Sequence, residues 1–228
     1  MMTTSSTTDP ALGRTVSPTG VEPDRDCALC PRLQAFRHDW RAREPTWFNA
    51  PVPSFGEITA PLLIVGLAPG LQGANRTGRP FTGDYAGELL YDTLYRFGFA
   101  RGTYAARVDD GLELVDARIS NAVRCVPPEN KPTGAEITTC RRFLKATIGE
   151  MANLRAVVAL GRIAHETTVA ALAARRANAP FAHGASHQIG SLRLFDSYHC
   201  SRYNTNTGVL TEEMFHGVFA QVRRFLQS

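Results

Sequence analysis

Pro61-Leu-Leu-Ile-Val-Gly66-Leu-Ala-Pro-Gly70 is the stretch whose reading decides the fold. Four consecutive large aliphatic residues leave no polar face, so the run suits a strand covered on both sides, and it ends in a turn rich in Gly and Pro. Further apolar runs predict strands over residues 117–123, 155–160 and 192–198. Helical patterns lie between and around them, over residues 33–43, 88–97, 133–153, 162–176 and 211–226. The third of these helices opens with Thr133 and carries Glu136 three residues on, a capping-box pattern. Strands alternating with helices predict an α/β fold, a three-layer α/β/α sandwich around a central four-stranded parallel sheet. Such sheets place their functional crevice beyond the carboxyl ends of the strands. Residues 66–70, 121–125, 161–162 and 199–204 are therefore expected at one rim.

Composition excludes several classes. The chain has 228 residues, 43% of them hydrophobic, enough to build a core, so a wholly disordered chain is excluded. No apolar run approaches the roughly 20 residues of a membrane helix. The net charge of +4 is mild and permits a polyanionic partner without demanding one. Lys131 and Lys145 are the only lysines, which leaves few amines for covalent chemistry. Residues 1–24 hold nine Ser or Thr and three Pro and predict a disordered tail ahead of a domain over residues 25–228. The tail has neither the apolar core nor the charged start of a secretory signal, which points to a reducing cytoplasm.

In such a compartment five cysteines call for a reason. Cys27 and Cys30 form a C-x-x-C chelating pair, and Cys125 and Cys140 follow with 14 residues between them. Four thiolates suit tetrahedral zinc or an iron–sulfur cluster. The wide second spacing is unlike a compact zinc ribbon and favours [4Fe–4S]; four separately buried cysteines are the bland alternative. Bound this way, the cluster would clip the N-terminal segment onto the sheet domain. Cys200 stands apart as a small hydrophobe.

The loops together resemble the b-type (family 5) uracil-DNA glycosylases. Residues 66–70 and the following Gly73-Ala-Asn-Arg-Thr-Gly-Arg-Pro-Phe-Thr-Gly-Asp84 are similar to that family's first motif. Asn121-Ala-Val-Arg-Cys125 resembles its middle motif, and His199-Cys-Ser-Arg-Tyr-Asn204 its last. The four cysteines match its cluster ligands in order and spacing. The likeness spans about residues 27–226. Four-cysteine a-type (family 4) enzymes usually carry an acid after the leading Gly, where this chain has Leu67, so the b-type is favoured. Cys200 and Gly70 stand where the wider family often has Pro and Ala.

The resemblance implies a monomeric DNA-repair hydrolase that flips uracil, and other damaged bases such as hypoxanthine, out of double-stranded DNA and leaves an abasic site. It implies His199 as donor to the leaving base, Asn121 as reader of its edge and Phe81 as stacking surface. Gly66, Leu67, Ala68, Pro69 and Gly70 would floor the pocket, and Asp84 would polarise water or balance the sugar cation. Arg202 and Tyr203 would enter the minor groove with Ser201 and Asn204 beside them, while Arg76, Arg79 and Arg124 would touch phosphates. Each has an ordinary alternative: a helix cap for Asp84, an Asx-turn for Asn121, core for Phe81, a loop histidine for His199 and salt bridges for the arginines. Neither lysine lies in a pocket motif, so Schiff-base lyase chemistry is not expected.

Overall fold

Residues 62–65 alternate their side chains between two apolar layers, as a strand buried on both faces must. Leu62 and Ile64 join a core with Leu90, Leu94, Phe215 and Phe219, whereas Leu63 and Val65 join one with Leu144, Val157, Ala164 and Val169. The computed structural model describes residues 21–228, plus an antiparallel pairing of Thr8–Asp9 with Arg14–Thr15. The main elements are α1 (Pro31–Arg43), β1 (Leu62–Gly66), α2 (Tyr85–Arg96), β2 (Ala117–Asn121) and α3 (Gly134–Glu150). They continue as β3 (Ala156–Leu160), α4 (Arg162–Ala171), β4 (Ser186–Ile189), β5 (Leu192–Ser197) and α5 (Glu212–Gln227). Helices α2 and α5 cover one face of the sheet, and α3 and α4 the other.

The sheet runs β2-β1-β3-β5-β4. The four expected strands are parallel, and the register sets Gly66 beside Asn121. The fifth strand, β4, pairs antiparallel with β5 at one edge and was not expected. Its Ser-His-Gln-Ile sequence has one aliphatic residue and lies half open to solvent, so it lacks the apolar run that marked the others.

Capping chemistry sets the helix starts. Thr133 Oγ1 accepts from the Glu136 amide and Glu136 accepts from the Thr133 amide, so the capping box is formed. Helix α4 is shorter than expected, ending at Ala171, and Ala173 just beyond it takes φ +54°. Between α4 and β5, His165 donates from Nδ1 to Asp196 (2.6 Å) and from Nε2 to the Ala179 carbonyl (2.8 Å). Burial alone would push this imidazole down, but the Asp196 hydrogen bond and charge hold it above its usual value. The pair ties α4 to the strand that ends just before His199.

The expected tail of residues 1–24 falls mostly outside the described residues. Its last four residues, however, belong to the domain. Val21 is buried, and Glu22 pairs with Arg124 (2.8 Å) and Arg118 (3.4 Å). One carboxylate beside two sequestered guanidiniums is reason enough for this segment to dock. Among the described residues no helix is long and apolar enough to cross a membrane.

Candidate active site and cysteine cluster

A cavity of about 540 Å³ opens at the carboxyl end of the sheet. That size suits a small organic ligand. The 66–70 segment follows β1, Asn121 ends β2 and His199 follows β5, so three parallel strands deliver their polar termini to one place. Leu67, Ala68, Pro69, Gly70, Phe81, Asp84, Asn121, His199, Ser201 and Arg202 all line it.

Gly66 sets the closest approach. A Cβ there would sit 2.4 Å from Asn121 Oδ1 and 2.6 Å from Phe81 Cζ, so only glycine lets the amide and the ring close around the strand end. Asn121 is 3% exposed, and its Oδ1 has no hydrogen-bond partner within the protein. A buried acceptor left open costs about 1–3 kcal/mol and calls for a ligand donor. Phe81 holds φ +52°, a left-handed conformation rare for a bulky residue. Its ring lies 6.0 Å from the His199 ring at an interplanar angle of 27°.

His199 faces the cavity in a setting that disfavours charge. Burial pushes its imidazole down to about 4, so near neutral pH the ring is uncharged and carries one N–H. Its backbone is held from behind, where Asn204 Nδ2 donates to the His199 carbonyl (2.8 Å). Asn204 belongs to the short helix Arg202–Asn206, which Ser201 caps.

Asp84 caps a helix and also lines the cavity. Oδ1 accepts from the Gly87 amide (3.2 Å) and caps α2. Oδ2 lies against the glycines of the first loop, 2.5 Å from where a Gly73 Cβ would stand and 3.0 Å from one on Gly70. Burial raises this carboxyl above its usual value, against the lowering effect of the Gly87 amide.

The arginines divide. Arg76 and Arg202 are exposed; Arg202 lies over the Tyr85 ring (5.3 Å), and the neighbouring Tyr203 is 74% exposed. Arg79 and Arg124 are corrections to the sequence reading, since neither can reach a phosphate. Arg79 is 2% exposed and forms a double hydrogen bond with Asp110 (2.8 and 2.7 Å). Arg124 is 1% exposed and occupied by Glu22, Thr147 and the Val52 carbonyl. Gln72, Tyr85 and Asn130 line the cavity and were not anticipated. Asn130 and Glu129 both take positive φ, a turn that the preceding Pro127-Pro128 hinted at without showing where it would point.

Cys27, Cys30, Cys125 and Cys140 line one small cavity, bringing α1, the segment after β2 and α3 together. Arg37 Nη1 donates to Cys125 Sγ (2.9 Å) and the Arg124 amide to Cys140 Sγ (3.3 Å), donors suited to anionic sulfur. As free thiols these groups are pushed up by burial, Cys125 to about 12 and Cys140 to about 11. Tetrahedral zinc would draw four sulfurs to about 3.8 Å of one another. Among the described residues no three His, Cys, Asp or Glu side chains are gathered to hold a single ion. Four thiols thus line one shared cavity, with a guanidinium and a backbone amide donating to two of them. Cys200 is apart and buried, its thiol donating to the Ala86 carbonyl (3.4 Å).

Comparison with known proteins follows the same lines. The profile described as the uracil DNA glycosylase superfamily matches residues 53–223. A type-5 uracil-DNA glycosylase of Thermus thermophilus is 45% identical over 205 residues, covering 87% of this chain and 93% of the relative. One from Pyrobaculum aerophilum is 40% identical over 192 residues, 82% of this chain and 84% of the relative. A type-4 uracil-DNA glycosylase of the same organism is 36% identical over 140 residues, 61% of this chain and 57% of the relative.

Proposed function

Because the chain belongs to the uracil DNA glycosylase superfamily, we propose that its 540 Å³ cavity receives one uracil swung out of duplex DNA and cuts its bond to deoxyribose. The activity is that of a uracil-DNA glycosylase, a hydrolase of DNA repair. The observation that carries the finer reading is the unpaired Asn121 Oδ1 in a cavity shared with the Phe81 and His199 rings.

Each residue then has one task. The Asn121 amide accepts from uracil N3–H and donates to O4, a pattern that cytosine does not match. Phe81 stacks on the extruded base, an interaction of about 1–3 kcal/mol. As the glycosidic bond breaks, negative charge grows on the base and the neutral His199 N–H stabilises it at a base oxygen. Asp84 stands where it can orient water or balance the positive sugar. Extruding the base costs roughly a few kcal/mol, least for a mispaired one. Tyr203 fills the space left in the duplex, and Arg76, Arg202, Ser201 and Asn204 follow the backbone beside it. The 66–70 segment supplies no acid, so catalysis leans on the leaving group. Hypoxanthine and etheno-modified bases are then expected substrates too, and inertness on every lesion but uracil would contradict this.

No lysine lines the cavity among the described residues, so the product is an uncut abasic site. The test is a labelled duplex with one uracil opposite guanine, incubated with the monomeric protein. Strand scission only after alkali is expected. Scission without alkali would refute the monofunctional reading, and intact but bound DNA would mean a non-catalytic binder.

We further propose that Cys27, Cys30, Cys125 and Cys140 hold a [4Fe–4S] cluster, whose part is to fasten α1 to the sheet domain. Purified protein should contain about four irons and four sulfides per chain. Stoichiometric zinc without iron would overturn the assignment.

A further inference from the structure

We propose that Asp110, through its buried pairing with Arg79, is a positioning residue that holds Phe81 against the departing base. The inference rests on the reading of Phe81 as the stacking surface and adds a residue that no motif contains.

The geometry points outward from Phe81. A bulky residue at φ +52° persists only where its surroundings over-determine it. Four contacts do so here. The Tyr91 hydroxyl donates to the Pro80 carbonyl (2.7 Å) and the Tyr104 hydroxyl to the Phe81 carbonyl (3.4 Å). Arg79 Nε donates to Thr82 Oγ1 (2.8 Å), just past the ring. Gly87 of α2 lies so close that a Cβ there would be 1.8 Å from the Phe81 carbonyl oxygen.

Arg79 organises this frame. Its guanidinium is ringed by Phe55, Tyr91 and Tyr104, at 5.3, 5.7 and 5.8 Å from their centroids. A cation among three aromatic rings needs a counter-charge, and Asp110 provides it in a double hydrogen bond with both side chains at 2% exposure or less. Asp110 is itself fixed by the Ala105 and Leu112 amides (2.9 and 3.1 Å). Burial would push its carboxyl up; Arg79 and these amides hold it well below the usual range. The loop carrying Asp110 and Tyr104 is thereby locked to residues 79–82. Losing the charge at Asp110 would free the frame, and Phe81 would sample orientations that no longer meet the base.

The test is a double-mutant cycle on single-turnover uracil release, with circular dichroism as the check on folding. Asp110→Asn keeps the shape and removes the charge. Phe81→Leu keeps apolar bulk and removes the flat face. Each alone is expected to slow release by about 10- to 100-fold while leaving KM for DNA within about twofold. Together they should be no slower than Phe81→Leu alone, because Asp110 acts only through that ring. Tyr91→Phe, which deletes one hydrogen bond and keeps the ring, should show the same non-additivity and carries the test if Asp110→Asn does not fold. Losses that multiply in the Phe81→Leu background, or an Asp110→Asn enzyme with parental rate, would overturn the positioning role alone. A Phe81→Leu enzyme as fast as the parent would overturn the stacking reading and the inference with it.

Discussion

Replacing His199 by alanine is expected to slow uracil release by about 100- to 1000-fold, the usual cost of deleting one preorganised donor to a developing charge. The change should fall on the bond-breaking step and leave DNA affinity nearly unaltered, because His199 meets the base and the phosphates lie outside. The protonation state sharpens the expectation. Burial pushes the imidazole down to about 4, so the neutral ring is the acting form. A histidine depressed in this way gains its proton only as the pH falls through the lowered value. The release rate of the parent enzyme should therefore be level through the ordinary histidine range near about 6.5 and change only toward stronger acid. A rate that fell as the pH rose through about 6.5 would mean that a charged imidazolium does the work. An alanine variant within threefold of the parent would remove His199 from the chemistry.

Asn121→Ala is the second large effect. The open Oδ1 beside Gly66 is filled only when a donor arrives. Losing this amide leaves the N3–H and O4 of an extruded uracil unpaired in a closed site, at about 1–3 kcal/mol for each. Uracil release should fall by about 100-fold or more, and discrimination against cytosine should fall with it. The ratio of kcat/KM on uracil- and cytosine-containing duplexes measures both. An Asn121→Ala enzyme that still chose uracil would move recognition to another group, for which Asn130 and Gln72 are the available cavity residues.

The contrast between His199 and Arg79 explains what was legible in the sequence. His199, Asn121 and the 66–70 segment each follow a strand marked by its own apolar run, and a parallel sheet brings such ends together whatever lies between. Local order was enough to place them. The C-x-x-C pair and the two later cysteines were legible from residue type and spacing, and the structure sets all four around one cavity. Arg79 sits in the same motif as Phe81 but points inward, because its partner is Asp110, 31 residues on, inside three aromatic rings. Arg124 likewise answers to Glu22, about a hundred residues back. A guanidinium reads the same in sequence whether it meets phosphate or a buried carboxylate, and only tertiary structure decides. Strand β4 escaped notice because an edge strand needs no apolar run, and Asn130 because its place depends on a left-handed turn. Asp84 was legible as a helix cap, with one oxygen on the Gly87 amide, and the structure sets its other oxygen at the cavity loop.

The most direct measurement is a crystal structure of the protein with a duplex carrying one 2′-fluoro-2′-deoxyuridine opposite guanine, an analogue whose sugar resists cleavage. The account predicts the uracil outside the helix, its N3–H on Asn121 Oδ1, its face on Phe81 and a base oxygen within hydrogen-bond reach of a His199 ring nitrogen. A uracil still stacked in the duplex, or seated in the cavity with His199 turned from it, would contradict the account.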